Sequence, residues 1–300
     1  MNKLYQEFLN DLKLQNKSDM TIDTYSRQFT GFVEFMQEFK GVDIESYTAE
    51  DFESIDWIAA REWMTYSKKD GGVVSPNTFN IRHNTLKSFY NYLFEYEYIS
   101  RNIINKIKKQ KTGKRIPIYL TKAEIHQVFE FLNSSNSFTF LRNRAVIYTF
   151  LTTGIRESEM MALKKEDLEG NALSVRSGKG NKDRVLYLPD ETVRHINKYL
   201  SKRDDNRQEL FLNIHGEPIN HYSLNMVIKS IMTRAGIDKQ ISAHKLRHSY
   251  ATLLLGETND LALTQDVLGH ASPATTRIYA QVTNEHKKNS MKNVLSALED

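Results

Sequence analysis

Apolar side chains in the first hundred residues recur at three- and four-residue intervals. Residues 4–12 carry one such stripe and residues 25–36 carry a second. The pattern returns over 55–66 and 77–97, and the last of these segments is rich in phenylalanine and tyrosine. Because this spacing places apolar side chains on one face of an α-helix, it predicts about four helices, the second of which opens at Thr21.

The second half also reads as mostly helical, with one β-hairpin. Thr121 and Glu124 have the spacing of a capping box at the start of an apolar helix, and residues 144–154 predict a buried helix. Two short alternating runs, 171–178 and 183–190, predict strands joined by the loop SGKGNKD. Helical patterns follow over most of the remaining chain. The sequence therefore predicts a mainly α fold with a small β-hairpin or sheet.

A change of composition near the middle of the chain predicts a domain boundary. The chain has 300 residues, which is more than one hydrophobic core usually covers. In the segment KKQKTGKRIPIYLT, Gly113 and Pro117 stop any helix, and the lysines favour an extended, solvated path. We therefore expect a helical domain over 1–111, a basic linker over 112–120 and a second domain over 121–300.

Composition narrows the possible chemistry. The chain contains no cysteine, which excludes disulfides, thiolate metal sites and cysteine nucleophiles. Its first residues are polar, without the apolar core of a signal peptide or the run of about 18 apolar residues that spans a membrane. These features predict a cytoplasmic protein with no membrane partner.

Basic and hydroxyl residues stand at four separated places in the second half. They are Arg156 in TTGIRESEM, Lys179 in SGKGNKDR, His244 and Arg247 in HKLRHS, and His270 and Tyr279 in LGHASPATTRIYA. The spacing of His244 and Arg247 puts both side chains on one face if the segment is helical. The glycine-rich loop lacks the Gly-x4-Gly-Lys-Ser/Thr pattern, so it gives no support for a nucleoside triphosphate site.

Each of these motifs taken singly has a structural explanation. Arg156 has a ready ion-pair partner in Glu159, three residues later, and a lysine between glycines is common at a hairpin tip. A histidine and arginine three apart are often surface residues, and His270 could simply end a helix. Residue type alone says little about Tyr279, which is one of 15 tyrosines.

Taken together, the motifs resemble the tyrosine recombinase family, the Xer and phage-type integrases, in content, order and intervals. The resemblance implies catalytic roles for six residues and a supporting role for the acid beside the first arginine: Arg156, Lys179, His244, Arg247, His270, the nucleophile Tyr279, and Glu159 in support. Lys182 is an alternative to Lys179 as the acid. The resemblance covers about 117–285 closely and 1–111 more loosely. It implies a helical SAM-like core-binding domain that clamps DNA, followed by an α-rich catalytic domain.

This family resemblance implies a site-specific recombinase that cleaves and rejoins DNA through a covalent 3′-phosphotyrosine. Arginine guanidinium groups suit the negative charge that builds on the phosphate oxygens, and a lysine can protonate the leaving 5′-oxygen. Since the covalent bond conserves the energy of the broken one, neither a metal nor ATP is expected and no cofactor is predicted. The implied partner is double-stranded DNA with inverted-repeat core sites, on which the protein assembles as a tetramer.

The distribution of charge adds a DNA-binding prediction. The net charge is only +4, but residues 101–122, the basic segment, contain no Asp or Glu. A solvated helix end would explain such a run. With the resemblance, we expect the basic segment to follow the DNA backbone. The residues predicted to bind DNA are Lys106, Lys108, Lys109, Lys111, Lys114 and Arg115.

Three questions stay open at this point. A type IB topoisomerase or telomere resolvase uses similar chemistry, and a DNA-binding protein with an inactive pocket would keep the fold. The biological role could be integration, inversion or chromosome-dimer resolution. A final helix over about 284–298, with an apolar stripe that includes Val294, Leu295 and Leu298, could pack on its own domain or dock on a neighbouring protomer.

Overall fold

A computed structural model of the chain describes residues 2–67, 72–113, 117–176 and 183–269. The chain divides into two compact units, Met1–Lys114 and Arg115–Asp300. The division lies within 112–120, the segment for which a linker is predicted. None of the helices in these described ranges is long and apolar enough to cross a membrane.

The first unit is helical. Its helices are α1 (Lys3–Leu14), α2 (Asp19–Lys40), α3 (Ala49–Ser54), α4 (Trp57–Thr65) and α5 (Pro76–Glu95), with short 3-10 turns at Ile44–Ser46 and Ile103–Lys106. Two details differ from the sequence prediction. The helix α2 opens at Asp19 and not at Thr21, because the Ser18 side chain caps it by accepting from the Thr21 amide. The six-residue helix α3 is too short to show a periodic stripe, and it was not predicted.

Aromatic side chains form the core of this unit. The rings of Tyr5 and Phe29 stack with centroids 3.4 Å apart, and Phe89 of α5 meets both rings edge-on. The aromatic-rich segment 77–97 therefore supplies the core, although Phe94 and Tyr96 at its end are exposed. Offset and edge-to-face ring contacts of this kind add to the apolar area that the helices bury.

The second unit combines helices with a small antiparallel sheet, as predicted. Its elements are α6 (Lys122–Asn133), α7 (Phe138–Thr153), α8 (Glu157–Ala162), a 3-10 turn at Lys165–Asp167, β1 (Leu168–Glu169), β2 (Ala172–Val175), β3 (Arg184–Tyr187), α9 (Asp190–Leu200), α10 (His221–Arg234), α11 (Ala243–Thr258) and α12 (Leu261–Leu268). The strands are ordered β1-β2-β3, with Leu173 opposite Leu186. The two-residue β1 was not predicted.

The predicted capping box at the start of α6 is confirmed. The Glu124 carboxylate accepts from the Thr121 amide at 2.7 Å, and the Thr121 hydroxyl accepts from the Glu124 amide at 3.3 Å. These reciprocal bonds satisfy backbone donors that a helix start leaves unpaired.

The buried helix α7 lies at the centre of the second unit. Nearly all of its residues after Phe140 are buried, and it packs against α6, α9, α10 and α11. Gly154 ends the helix in a left-handed conformation with φ of +61°. A Cβ at Gly154 would overlap the Tyr250 ring and lie 2.9 Å from the Leu268 side chain. Only glycine fits this turn without strain, and the turn carries the chain to Arg156 at the start of α8.

Candidate active site

Arg156 and Glu159 form a local pair at the first turn of α8. The Glu159 carboxylate accepts from the Arg156 backbone amide at 2.9 Å and from its Nη1 at 2.7 Å. The second contact is the ion pair that the three-residue spacing made possible. The Arg156 side chain keeps 28% of its surface exposed, whereas the Glu159 side chain keeps 6%. The pair therefore fixes the guanidinium and still leaves it open to a ligand.

A second arginine, which sequence reasoning missed, holds the same carboxylate. Arg184 is the first residue of β3, and its Nη1 and Nη2 donate to Glu159 Oε1 and Oε2 at 2.8 and 2.9 Å. The alternation of β3 could have identified Arg184 as an inward-facing residue, because Arg184 shares a strand face with the buried Leu186. A charged residue at an inward-facing position requires a partner.

The environment of Glu159 keeps it ionised. Burial by itself raises the pKa of a carboxyl group, but hydrogen bonds from Arg184 and Arg156 outweigh burial and lower the pKa of Glu159 to about 2. Glu159 is therefore a carboxylate at any physiological pH, and it accepts charge-assisted hydrogen bonds from both arginines.

Arg247 is almost fully buried, with 4% of its surface exposed. It lies on α11, as its motif predicted, and donates from Nη1 to the Gly154 carbonyl and from Nη2 to the Leu268 carbonyl, both at 2.6 Å. These carbonyls belong to the turn after α7 and to the last residue of α12. Arg247 thus joins the ends of two helices.

Arg156 also binds the C-terminal end of α12. Its Nη2 donates to the carbonyl of Gly269, the residue after α12. Arg156 and Arg247 therefore bind two consecutive carbonyls, those of Gly269 and Leu268. Three motifs that are far apart in the sequence meet at this point, since His270 follows Gly269 directly in the chain.

His244 lies in the first turn of α11, three residues before Arg247. Its Nε2 is 2.8 Å from Nε2 of His248, and the two rings meet edge-on with centroids 4.3 Å apart. One of these nitrogens must donate a proton to the other. Burial and the positive charge of Arg247 lower the pKa of His244, and Glu157 partly opposes them. The neutral imidazole is favoured near pH 7.

Glu157 belongs to a second polar cluster beside the arginines. Its Oε1 lies 2.7 Å from His221 Nδ1 and accepts from Asn225 Nδ2 at 2.7 Å. The side-chain oxygen Oδ1 of Asn225 in turn accepts from the Ala243 backbone amide at the start of α11, at 3.4 Å. This cluster connects the first turns of α8, α10 and α11. Neither His221 nor Asn225 belongs to a sequence motif, so neither was predicted to be a site residue.

Several predicted site residues lie outside the described residues. They are Lys179 and its alternative Lys182, His270 and Tyr279 in the second unit, and Lys114 and Arg115 in the basic segment. Of the remaining basic-segment residues predicted to bind DNA, Lys106, Lys108, Lys109 and Lys111 are all exposed. Lys106 and Lys108 line a cavity of about 310 Å³ in the first unit, together with Arg61.

Carboxylates and histidines do not assemble into a metal-binding group within the described ranges. Two of the acids nearest the motifs have other partners. Glu159 holds two arginines, and Glu157 holds His221 and Asn225.

Family models match both halves of the chain. Residues 119–286 match the model described as the phage integrase family, and residues 4–100 match that of the phage integrase N-terminal SAM-like domain. The two ranges correspond to the two compact units described above.

Tyrosine recombinases are similar to this chain over nearly its full length. Tyrosine recombinase XerC of Lactobacillus delbrueckii subsp. bulgaricus is 30% identical over 293 residues, which cover 94% of this chain and 95% of the relative. Tyrosine recombinase XerD of Oceanobacillus iheyensis is 30% identical over 292 residues, with the same coverage of 94% and 95%. Among solved structures, XerH recombinase in a post-cleavage complex with a palindromic difH substrate has a TM-score of 0.71 and 25% identity, covering 95% of this chain and 82% of that one. The chain belongs to the phage integrase family of tyrosine recombinases.

Proposed function

We propose that this protein is a site-specific DNA recombinase that cuts and rejoins DNA with Tyr279 as its nucleophile. One observation supports this reading most strongly. Arg156 and Arg247, from two separate motifs, donate to the consecutive carbonyls of Gly269 and Leu268. The chain continues from there to His270 and Tyr279, so the two guanidinium groups are anchored at the residues that directly precede the segment carrying the proposed nucleophile.

The arginines supply the electrostatic part of the reaction. Attack on a phosphodiester concentrates negative charge on its non-bridging oxygens, and preorganised guanidinium groups stabilise that charge. Arg156 is held by Glu159 yet partly exposed. Fixing both arginines before DNA arrives removes the cost of reorganising them in the transition state.

Proton transfers accompany both bond changes. The Tyr279 hydroxyl, with an ordinary pKa of about 10, must lose its proton as its oxygen bonds to phosphorus. His244, with its lowered pKa, and His270 are the proposed acceptors or hydrogen-bond partners. The bond between phosphorus and the 5′-oxygen breaks, and Lys179 gives that oxygen a proton. A 5′-hydroxyl of another strand then displaces Tyr279 by the reverse steps.

The choice of Lys179 over Lys182 has a direct test. A substrate with sulfur in place of the bridging 5′-oxygen has a leaving group that needs no proton. Lys179→Ala should cleave ordinary DNA slowly and the sulfur substrate at nearly the wild-type rate, whereas Lys182→Ala should cleave both nearly normally. The reverse pattern would assign the acid to Lys182.

Neither a metal nor ATP takes part in the proposed reaction. The phosphotyrosine bond conserves the energy of the broken phosphodiester, and arginines perform the charge stabilisation that a metal pair gives in other strand transferases. Adduct formation and rejoining should therefore proceed without nucleotide and in excess chelator. Dependence of either step on a divalent cation or ATP would contradict this part of the proposal.

The proposed substrate is duplex DNA with inverted-repeat core sites. The basic segment would contact its phosphates through Lys106, Lys108, Lys109 and Lys111, which are exposed, and through Lys114 and Arg115. We propose that four protomers assemble on two such duplexes, with residues 284–298 docking on a neighbouring protomer. Removing 284–300 should then lower the mass of the DNA complex in light scattering and leave binding to a single half-site intact.

A suicide substrate tests the function as a whole. Duplexes bound by Tyr279→Phe protein are first selected from a library of randomised inverted repeats. A selected duplex is then nicked beside the cleavage position, so that the short 5′-hydroxyl fragment diffuses away and the covalent complex accumulates. Wild type should form the adduct and Tyr279→Phe should not. Absence of any wild-type adduct would indicate a DNA-binding protein with an inactive pocket, and equal adduct with Tyr279→Phe would exclude this nucleophile.

A further inference from the structure

Arg184 lies where three parts of the second unit meet. It begins β3, the strand that leads out of the hairpin loop containing Lys179, and its side chain is 15% exposed. Both of its terminal nitrogens donate to Glu159 of α8, at 2.8 and 2.9 Å. The arrangement is the two-pronged guanidinium–carboxylate pair, which fixes direction as well as distance.

The same guanidinium lies against the end of α12. A Cβ added to Gly269 would sit 3.5 Å from the Cζ, Nε and Nη1 atoms of Arg184, which is ordinary van der Waals contact. The carbonyl of Gly269 accepts from Arg156. Arg184 and Arg156 therefore both bind Glu159, and Arg184 lies close to Gly269, whose carbonyl Arg156 binds.

Glu159 connects the two arginines through its oxygens. Its Oε1 accepts from Arg156 Nη1 at 2.7 Å and from Arg184 Nη1 at 2.8 Å. Its Oε2 accepts from the Arg156 amide and from Arg184 Nη2, both at 2.9 Å. A change at Arg184 therefore removes one of the two donors on each carboxylate oxygen and leaves Arg156 as the remaining donor to both, so the carboxylate that orients Arg156 is held less firmly.

We propose that Arg184 is a positioning residue for strand transfer, which through Glu159 orients Arg156 on the phosphate. The proposal rests on the function proposed above. The positioning role requires the planar guanidinium group of an arginine, because a lysine ammonium cannot bind both carboxylate oxygens in one fixed plane.

The test measures binding and chemistry separately in the full-length protein. Affinity for the nicked duplex is measured by fluorescence polarisation, and the rate of adduct formation is measured in a single turnover at saturating protein. Arg184→Gln should slow adduct formation by about 100-fold, the cost typical of a misplaced catalytic group, and change the dissociation constant by less than about threefold. Arg184→Lys should recover part of the rate.

A double-mutant cycle identifies the route of the effect. If Arg184 acts through Glu159, adding Arg184→Gln to Glu159→Gln should slow the reaction no further, because the carboxylate that transmits the effect is already absent. Full additivity of the two losses would overturn the proposal, since it would mean that Arg184 acts independently of Glu159.

Arg176 provides the matched control. It follows β2 on the same hairpin and pairs with the carboxylate of Asp167 at 3.0 Å, with 60% of its side chain exposed. Arg176→Gln should cleave within about twofold of the wild-type rate, because the ion-pair partners of Arg176 are Glu166 and Asp167 and not Glu159. An equal loss in Arg176→Gln and Arg184→Gln would mean that the hairpin as a whole is sensitive, and it would overturn the specific role.

Two further outcomes are decisive. Circular dichroism is recorded for each variant, and if Arg184→Gln does not fold, Arg184→Lys decides the matter: wild-type cleavage by that variant overturns the proposal. Failure of the wild type to form an adduct would reject the proposed function itself. Normal adduct formation by wild type and Arg184→Gln alike would reject only the role of Arg184.

Discussion

Glu159 forms ion pairs with two guanidinium groups, those of Arg156 and Arg184, although its own side chain is almost completely buried. Replacing it with glutamine leaves Arg156 and Arg184 without the charge that compensates them. Breaking a buried ion pair by removing one partner is strongly destabilising, and we expect Glu159→Gln to lower the free energy of unfolding by about 2–4 kcal/mol at pH 7. Urea denaturation followed by circular dichroism measures this loss.

Glu217 provides the comparison for that measurement. Its ion pair with Arg207 is also short, 2.7 Å, but the two side chains are 58% and 40% exposed. Glu217→Gln should therefore change the unfolding free energy by less than about 1 kcal/mol. Equal losses of unfolding free energy in the two variants would show that burial does not make the ion pairs of Glu159 more stabilising than an exposed pair.

The lowered pKa of Glu159 predicts a dependence of stability on pH. Because its pKa falls from the ordinary value of 4.5 to about 2 on folding, its stabilising contribution is complete above about pH 4.5 and is lost as the pH falls toward 2. Between pH 5 and 2.5, wild type should lose more unfolding free energy than Glu159→Gln. Parallel curves for the two proteins would contradict the assignment.

The sequence predicted the local pairs of the site and not the distant ones. Arg156 and Glu159 are three residues apart, so their contact follows from one turn of helix. Arg184 is 25 residues from Glu159, and only folding of the hairpin onto α8 brings the two together. The catalytic roles of all six motif residues remain predictions from the family resemblance: Arg156, Lys179, His244, Arg247, His270 and Tyr279.

At the scale of the elements, the turn between α7 and α8 determines where Arg156 and Arg247 meet. Gly154 makes that turn, and its carbonyl accepts from Arg247. Gly154→Ala adds both a left-handed strain and an overlap with Tyr250. We expect it to lower the unfolding free energy by about 3 kcal/mol or more and to slow adduct formation.

A substitution at Gly170 separates the cost of the left-handed conformation from the cost of steric overlap. It also has a left-handed conformation, with φ of +56°, but nothing lies within 4 Å of an added Cβ. Gly170→Ala should therefore show the conformational cost alone, about 1 kcal/mol, and normal cleavage. If both variants lost the same stability, steric overlap at Gly154 would not be the cause.

Elements with a clear period were predicted well, and very short elements were not. The stripes of α1, α2 and α5 and the alternation of β2 and β3 span enough residues to define a period. The six-residue α3 and the two-residue β1 are too short for that, because their conformations depend on neighbours elsewhere in the chain. The start of α2 was misplaced because the capping serine lies outside the apolar stripe.

At the scale of the whole molecule, charge is distributed unevenly along the chain. If the basic segment follows DNA, exposed lysines there should contribute to the salt dependence of binding. Lys108→Gln/Lys109→Gln should reduce the slope of log affinity against log salt by about 1–2, since each phosphate contact contributes about 0.9. Fluorescence polarisation between 50 and 200 mM salt, about the range in which such slopes are well defined, measures it.

Lys13 and Lys17 give a matched pair within residues 1–70, where 14 Asp and Glu outnumber 8 Lys and Arg. Both are exposed, and Lys13→Gln/Lys17→Gln removes the same charge. This variant should leave the slope within about 0.5 of the wild-type value, because no phosphate contact is lost. An equal reduction in slope would show that net charge, and not the basic segment, governs DNA binding.

The central claim is that Tyr279 forms the covalent bond to DNA. The most direct measurement is digestion of the trapped adduct with protease and nuclease, followed by mass spectrometry of the peptide that retains a nucleotide. We expect a nucleotide 3′-phosphate on Tyr279 and a free 5′-hydroxyl on the released strand. A nucleotide on any of the other 14 of the chain's 15 tyrosines, or a tyrosine joined to a 5′-phosphate, would contradict it.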